Sequence, residues 1–336
     1  MSALSIGDLA LGFQSRLFNT RVRSELSALG QELATGTSRQ AAAGNGPLQG
    51  ALAGIAHGMT MARVHDAAAA EAAQFARATQ AALGTIQHAG GALGAALVMA
   101  GTGGAAAQVD AAALDARARL GSVVSALNAR DAGRALFAGT ATDGAAIAGA
   151  DALLTQLAAD IGPQTSAAGL AAAVDDWFTA PGGGFETHAY LGADTGLSPV
   201  SIALGQTADP ALRADDPALR DLLAGYATAA LLDLGVLDGR AEERAAAVLG
   251  AGTRIMAGDA ALATLGARVG REEARIEEAA AANAAEAAAL EEARAALVGV
   301  DAYRTATALT EAEAQLETLY AVTARLSRLS LTEFLR

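Results

Sequence analysis

The chain has 336 residues, 52% of them hydrophobic but only 4% aromatic, with no cysteine and a formal net charge of -13. All of its basic residues are arginine. The acidic balance argues against a nucleic-acid partner, which needs a basic patch, and against anionic membrane surfaces. The missing cysteine removes disulfides, thiolate catalysis and cysteine metal sites, and the missing lysine removes P-loop and Schiff-base chemistry.

Alanine carries most of the apolar count. It is the best helix former and adds little core volume, so long, closely packed helices are expected. Leu9 to Leu33 reads as the first helix: Leu11, Phe18, Val22, Leu26, Leu29 and Leu33 recur at three, four or seven and share one face. Gly36, Gly44, Asn45, Gly46 and Pro47 then interrupt. A second helix is predicted from Pro47 to about Ala100. Leu48, Ile55, Ala62, Ala69, Ala76, Leu83, Gly90 and Leu97 recur every seven, as in a helix lying along others in a left-handed supercoil. No charged residue occurs from Thr79 to Val109, but glutamines, His88 and many glycines do, so a helix buried among helices is expected rather than a membrane span. A third helix is predicted over Val109 to Phe137.

The character changes between about Ala138 and Asp238, which holds Trp177 and most of the prolines. Here "FETHAYLG" and "PVSIALGQT" read as two short strands, and "DDPALRDLLAGYATAALLDLG" as a capped helix with Pro217 near its start. Trp177 and Phe178 are expected core anchors. Beyond the insert, Leu262, Val269, Ile276, Asn283, Leu290 and Leu297 keep the seven-residue spacing without a slip. Asn283 is a polar seam position, which either fixes register or is simply tolerated. Asp301 is a candidate N-cap. The last helix carries Leu309, Ala312, Leu316, Leu319, Leu326 and Leu329 at three-four-seven spacing, with Phe334 close behind.

The predicted fold is therefore mainly α: an antiparallel long-helix coiled-coil rod made by the N- and C-terminal segments, with a small inserted α/β head domain. Expected boundaries are 1–137 for the N-terminal rod segment, with 1–46 as terminal helix and turn, 138–238 for the insert, and 239–336 for the C-terminal rod segment, with 301–336 as terminal helix. The outer helices have broad apolar faces and little to bury them in an isolated molecule, so they are expected to order on assembly. Leu11, Phe18, Val22, Leu26 and Leu29 are the candidate interface on one side. Leu309, Leu316, Leu319, Leu326, Leu329 and Phe334 are the candidates on the other, within and between subunits.

Three stretches resemble bacterial flagellins and the hook-filament junction protein, a hook-associated protein. "RLFNTRVRSELSALGQELATGTSRQ" looks like the family's opening helix and turn. "LNARDAGRALFAGTATDGAAI", with Phe137, Gly139, Thr140, Thr142 and Asp143, resembles its helix-to-head passage. "AYRTATALTEAEAQLETLYAVTARLSRLSLTEFLR" looks like its C-terminal assembly helix. Asn45-Gly46-Pro47 departs from the pattern, since relatives commonly carry an acidic pair there. The resemblance implies an extracellular flagellar component, exported through the flagellar secretion system without a cleaved signal peptide. It also implies self-association, contacts with other hook-associated proteins and flagellin, and an export chaperone. The compact insert and the "GTATD" passage look more like the junction protein, with a filament-forming flagellin as the alternative; a free-standing coiled-coil scaffold or adhesin is the remoter one.

Catalytic vocabulary is sparse. His57 and His65 lie about two turns apart, too far for one metal, and neither they, His88 nor His188 has a ligand set around it. The glycine runs at Gly101 to Gly104 and Pro181 to Gly184 read as breaks and turns. Asp175-Asp176 and Asp215-Asp216 read as capping pairs, and Glu272-Glu273, Glu277-Glu278 and Glu291-Glu292 as solvated helix faces. No cofactor, metal, nucleic-acid partner or membrane insertion is expected, and no enzymatic activity.

Overall fold

The structure, a computed structural model, describes residues 6–39 and 47–334, with side chains described over 13–39 and 48–325. The Gly44 to Gly46 part of the expected turn lies outside the described residues. Eight long helices appear among them: α1 (Ile6–Thr35), α2 (Pro47–Gly103), α3 (Ala106–Leu127), α4 (Ala150–Ile161), α5 (Ala167–Thr179), α6 (Pro217–Asp233), α7 (Ala241–Val298) and α8 (Ala302–Phe334). Two small hairpins accompany them, β1 (Arg130–Asp131) with β2 (Arg134–Ala135), and β3 (Val200–Ala203) with β4 (Gln206–Ala208), both antiparallel. The fold is mainly α with long helices paired antiparallel, as the heptads predicted.

The chain divides into two compact units. One holds residues 1–62 and 285–336, the other residues 63–284, and α2 and α7 contribute to both. Within the larger unit, α2 and α7 run antiparallel. Gly90 faces Asp259, Gly94 faces Gly252 and Met256, and Gly101 faces the Ala245 carbonyl. The glycines permit this approach. A Cβ on Gly252 would stand 2.7 Å from the Gly94 carbonyl oxygen. The seam positions Ala69, Ala76, Leu83, Ile86, Leu93 and Leu97 of α2 are buried, as are Leu262, Val269 and Ile276 of α7. Residues 48–103 of α2 are long and apolar enough to cross a membrane by length and composition alone; 39% of the apolar window is buried. At the centre lies α6, buried along almost its whole length and in contact with α3, α4 and α5; a helix apolar all round has to be enclosed in this way.

Local chemistry explains the boundaries. Asp216 accepts a hydrogen bond from the Ala218 N–H at 3.0 Å and Pro217 opens α6, as expected. Asp301 accepts from the Tyr303 and Arg304 N–H groups, capping α8. The helix predicted over Val109 to Phe137 stops ten residues early. Asn128 closes it, accepting from the Ala146 and Ile147 N–H groups and donating to the Ile147 carbonyl. Ala132 (φ 46°) and Gly133 (φ 82°) then make a tight turn into β2.

"FETHAYLG" is not a strand. Phe185–Ala189 form a π-helical turn that puts Phe185 and Ala189 into the core. "PVSIALGQT" with the following Ala208 supplies both β3 and β4. Trp177 and Phe178 are buried, with Phe178 stacked edge-on at 4.8 Å, and the indole N–H donates to Asp160. Asp175 and Asp176 sit inside α5 rather than at a helix start. Asp175 pairs with Arg254 instead of capping, because Arg254 on α7 also reaches Asp221 on α6 and ties three helices together. Glu272 is not merely solvated: it accepts from the Asp209 N–H and pairs with Arg275. Asn283 is buried and donates to the Ile202 carbonyl at 2.8 Å, so its amide holds the β3–β4 hairpin against α7.

Candidate assembly face

In the smaller unit α1 and α8 pack antiparallel. Their ends are joined by backbone. Thr37 bridges Gly299, the Ser38 N–H donates to the Val298 carbonyl at 2.8 Å, and the Val300 N–H donates to the Gly36 carbonyl at 3.2 Å. Gly36, at φ +67°, ends α1 in the left-handed conformation that glycine adopts without strain. Further along, the Arg23 guanidinium donates to the Tyr320 hydroxyl and lies 5.8 Å from the ring centroid.

The pair buries only part of its apolar surface. Val22 on α1 and Ala312 and Thr305 on α8 are buried. Leu26, Leu29, Leu309, Leu316 and Leu319 are half-buried. Phe18 remains 47% exposed and borders a groove of about 490 Å³ lined by Ala314, Thr318, Leu319 and Val322. Leu11, Leu326, Leu329 and Phe334 lie outside the residues whose side chains are described.

Three contributors were not singled out from sequence. Phe13 and Leu17 are 60% and 55% exposed, one helical turn apart beside Phe18. Their spacing of four was the available signal. The Arg23–Tyr320 contact had none, since it joins residues 297 positions apart.

The head passage is also built around specific residues. Phe137 is fully buried. Gly139, at φ +60°, fits between the Thr195 and Ala193 carbonyls, where a Cβ would come within 2.5 Å of oxygen. Arg130 donates to the carbonyls of Gly133, Thr142, Asp143 and Gly144, gathering the loop that holds Thr142 and Asp143. Among the described residues no group of three or more His, Asp or Glu side chains could hold a metal ion.

Comparison with known proteins adds a match at one end. Residues 256–335, spanning all but the first few turns of α7 and all of α8, match the family model of the bacterial flagellin C-terminal helical region. A search of the curated proteins returns no match. Among solved structures, one from Vibrio parahaemolyticus, named as a candidate flagellar hook-associated protein, aligns at 16% identity. It covers 70% of this chain and 98% of its own, with a TM-score of 0.35. Residues 256–335 are thus similar to the C-terminal helical region of the bacterial flagellins.

Proposed function

We propose that the chain is a structural, non-catalytic subunit of the bacterial flagellum, and specifically the hook-filament junction protein, self-associating through α1 and α8. The observation that carries the structural role is the coincidence of two features. The flagellin match covers α8, and the α1–α8 pair leaves Phe13, Leu17, Phe18 and Val322 exposed, with Phe18 and Val322 lining a groove. Scattered exposed apolar residues are ordinary, but a contiguous group on one helical pair marks an interaction face. Junction rather than filament is favoured by the compact insert and by the Phe137 to Asp143 passage, which resembles that of the junction protein.

In this reading the subunit acts outside the cell. Its neighbours are copies of itself, other hook-associated proteins and flagellin, with a chaperone holding the terminal helices before export. The domain reading is that 138–238 forms the inserted head and the flanking segments form the assembly core. Immunogold microscopy of isolated flagella with an antibody to the insert tests this. A single cluster between hook and filament is expected. Label along the whole filament would make the protein a flagellin instead, and no label on accessible flagella would favour a free-standing scaffold.

A further inference from the structure

In the larger unit, Asp259 of α7 faces Gly90 of α2. Its Oδ1 is enclosed and has no hydrogen-bond partner, and it stands 2.4 Å from where a Cβ on Gly90 of α2 would be. A side chain at 90 would displace that carboxyl from its place. On its N-terminal side α7 also packs tightly on α6: Gly258 faces Leu222, and Ile255 faces Gly225.

The surroundings offer the charge little compensation. From α6 comes Tyr226, fully buried, with its hydroxyl also unpartnered. From α3 come Arg119 and Asp115, but the Arg119 guanidinium is engaged by the Asp115 carboxylate and the Ala89 carbonyl. On α2 the residue opposite is Gly90, and His88 nearby is exposed. On α7 itself Arg254 is taken up by Asp175 and Asp221. Asp259 as a whole is half-buried, but its enclosed Oδ1 gains no partner when the carboxyl ionises, a cost that the neutral acid avoids in large part. Burial accordingly raises the Asp259 carboxyl above its usual value of 3.8.

We infer that Asp259 is a proton-binding site built into the α2–α7 seam, so that the larger unit is tightened by mild acid and loosened as the carboxyl ionises. The sign follows from linkage. The folded state holds the proton more firmly than the unfolded chain does. Its advantage is fully present below 3.8 and is lost as pH rises through the folded value. Each unit by which the folded value exceeds the unfolded one lowers the folding equilibrium constant about tenfold at higher pH.

The test uses the full chain. Denaturant midpoints followed by the fluorescence of Trp177, the sole tryptophan, are compared for the native sequence and Asp259→Asn from pH 4 to pH 8. The native protein should lose stability relative to the variant as pH rises, matching it at the acid end and falling below it at pH 8. Parallel profiles would overturn the inference. So would a carboxyl resonance for Asp259 that titrates at or below 3.8 in carbon-13 NMR of the folded protein, a reading that does not depend on any variant folding. Gly90→Ala gives a geometric control: it should unfold more readily in the native background than in Asp259→Ala. Equal losses in both backgrounds would also count against the seam.

Discussion

Truncating Val22 to alanine tests how much the α1–α8 pair depends on its small buried stripe. Val22 is 2% exposed, while the apolar residues around it are half-buried or open. Val→Ala removes two buried carbon groups at about 0.8 kcal/mol each, or about 1.6 kcal/mol before any cavity cost. That is roughly a fifteenfold loss in the equilibrium holding the pair together. Thermal melting by circular dichroism should show an earlier loss of terminal helix. Trp177 fluorescence, which reports on the aromatic cluster of the larger unit, should keep its midpoint. Phe18→Asp is the companion. Phe18 is 47% exposed, so the same melt should barely move, while sedimentation should show assembly lost. If Val22→Ala leaves terminal helicity unchanged, or if Phe18→Asp assembles normally, the division of this face into a held part and an open part is wrong.

Asn283→Leu should leave the Ile202 carbonyl without its buried donor, at a cost of about 1–3 kcal/mol, and hydrogen exchange over 200–208 should accelerate. Tyr226→Phe deletes a buried hydroxyl that has no partner, so denaturant melts should show it unchanged or more stable by about 1 kcal/mol. Gly184→Ala would place a methyl within 1.8 Å of the Trp177 indole nitrogen. A loss of about 1–3 kcal/mol and a shifted Trp177 emission are expected, measured by chemical denaturation.

The long elements were legible because their signal is long. Seven-residue spacing from Leu48 to Leu97 and from Leu262 to Leu297 survives local exceptions, and most of those positions are buried seam residues. Caps were equally readable where one side chain decides them, as Asp216 and Asp301 do. Short segments were not. "FETHAYLG" contains Phe185 and Ala189 four apart, a helical spacing, and the alternation that suggested a strand is coincidental. The overrun of α3 ignored Asn128, Ala132 and Gly133 because "ALFAG" is apolar; those residues enter the core from a hairpin instead. The candidate assembly stripe was readable as a face, but which of its members are enclosed depends on where α8 lies across it. The role of Asp259 had no signal at all, since it depends on Gly90, far away in the chain, supplying space.

The Arg23–Tyr320 contact has a kinetic consequence. It closes a loop of 297 residues, and the entropic cost of closure rises with the logarithm of loop length. Ordering the intervening 63–284 unit first would shorten the effective loop and bring residues 37 and 299 within reach of each other. The terminal helices should therefore register late in refolding, after the Trp177 signal has settled. An α1–α8 pair that completes last is one whose partner can still be chosen: for a time each helix can pair with its own chain or with a neighbour's.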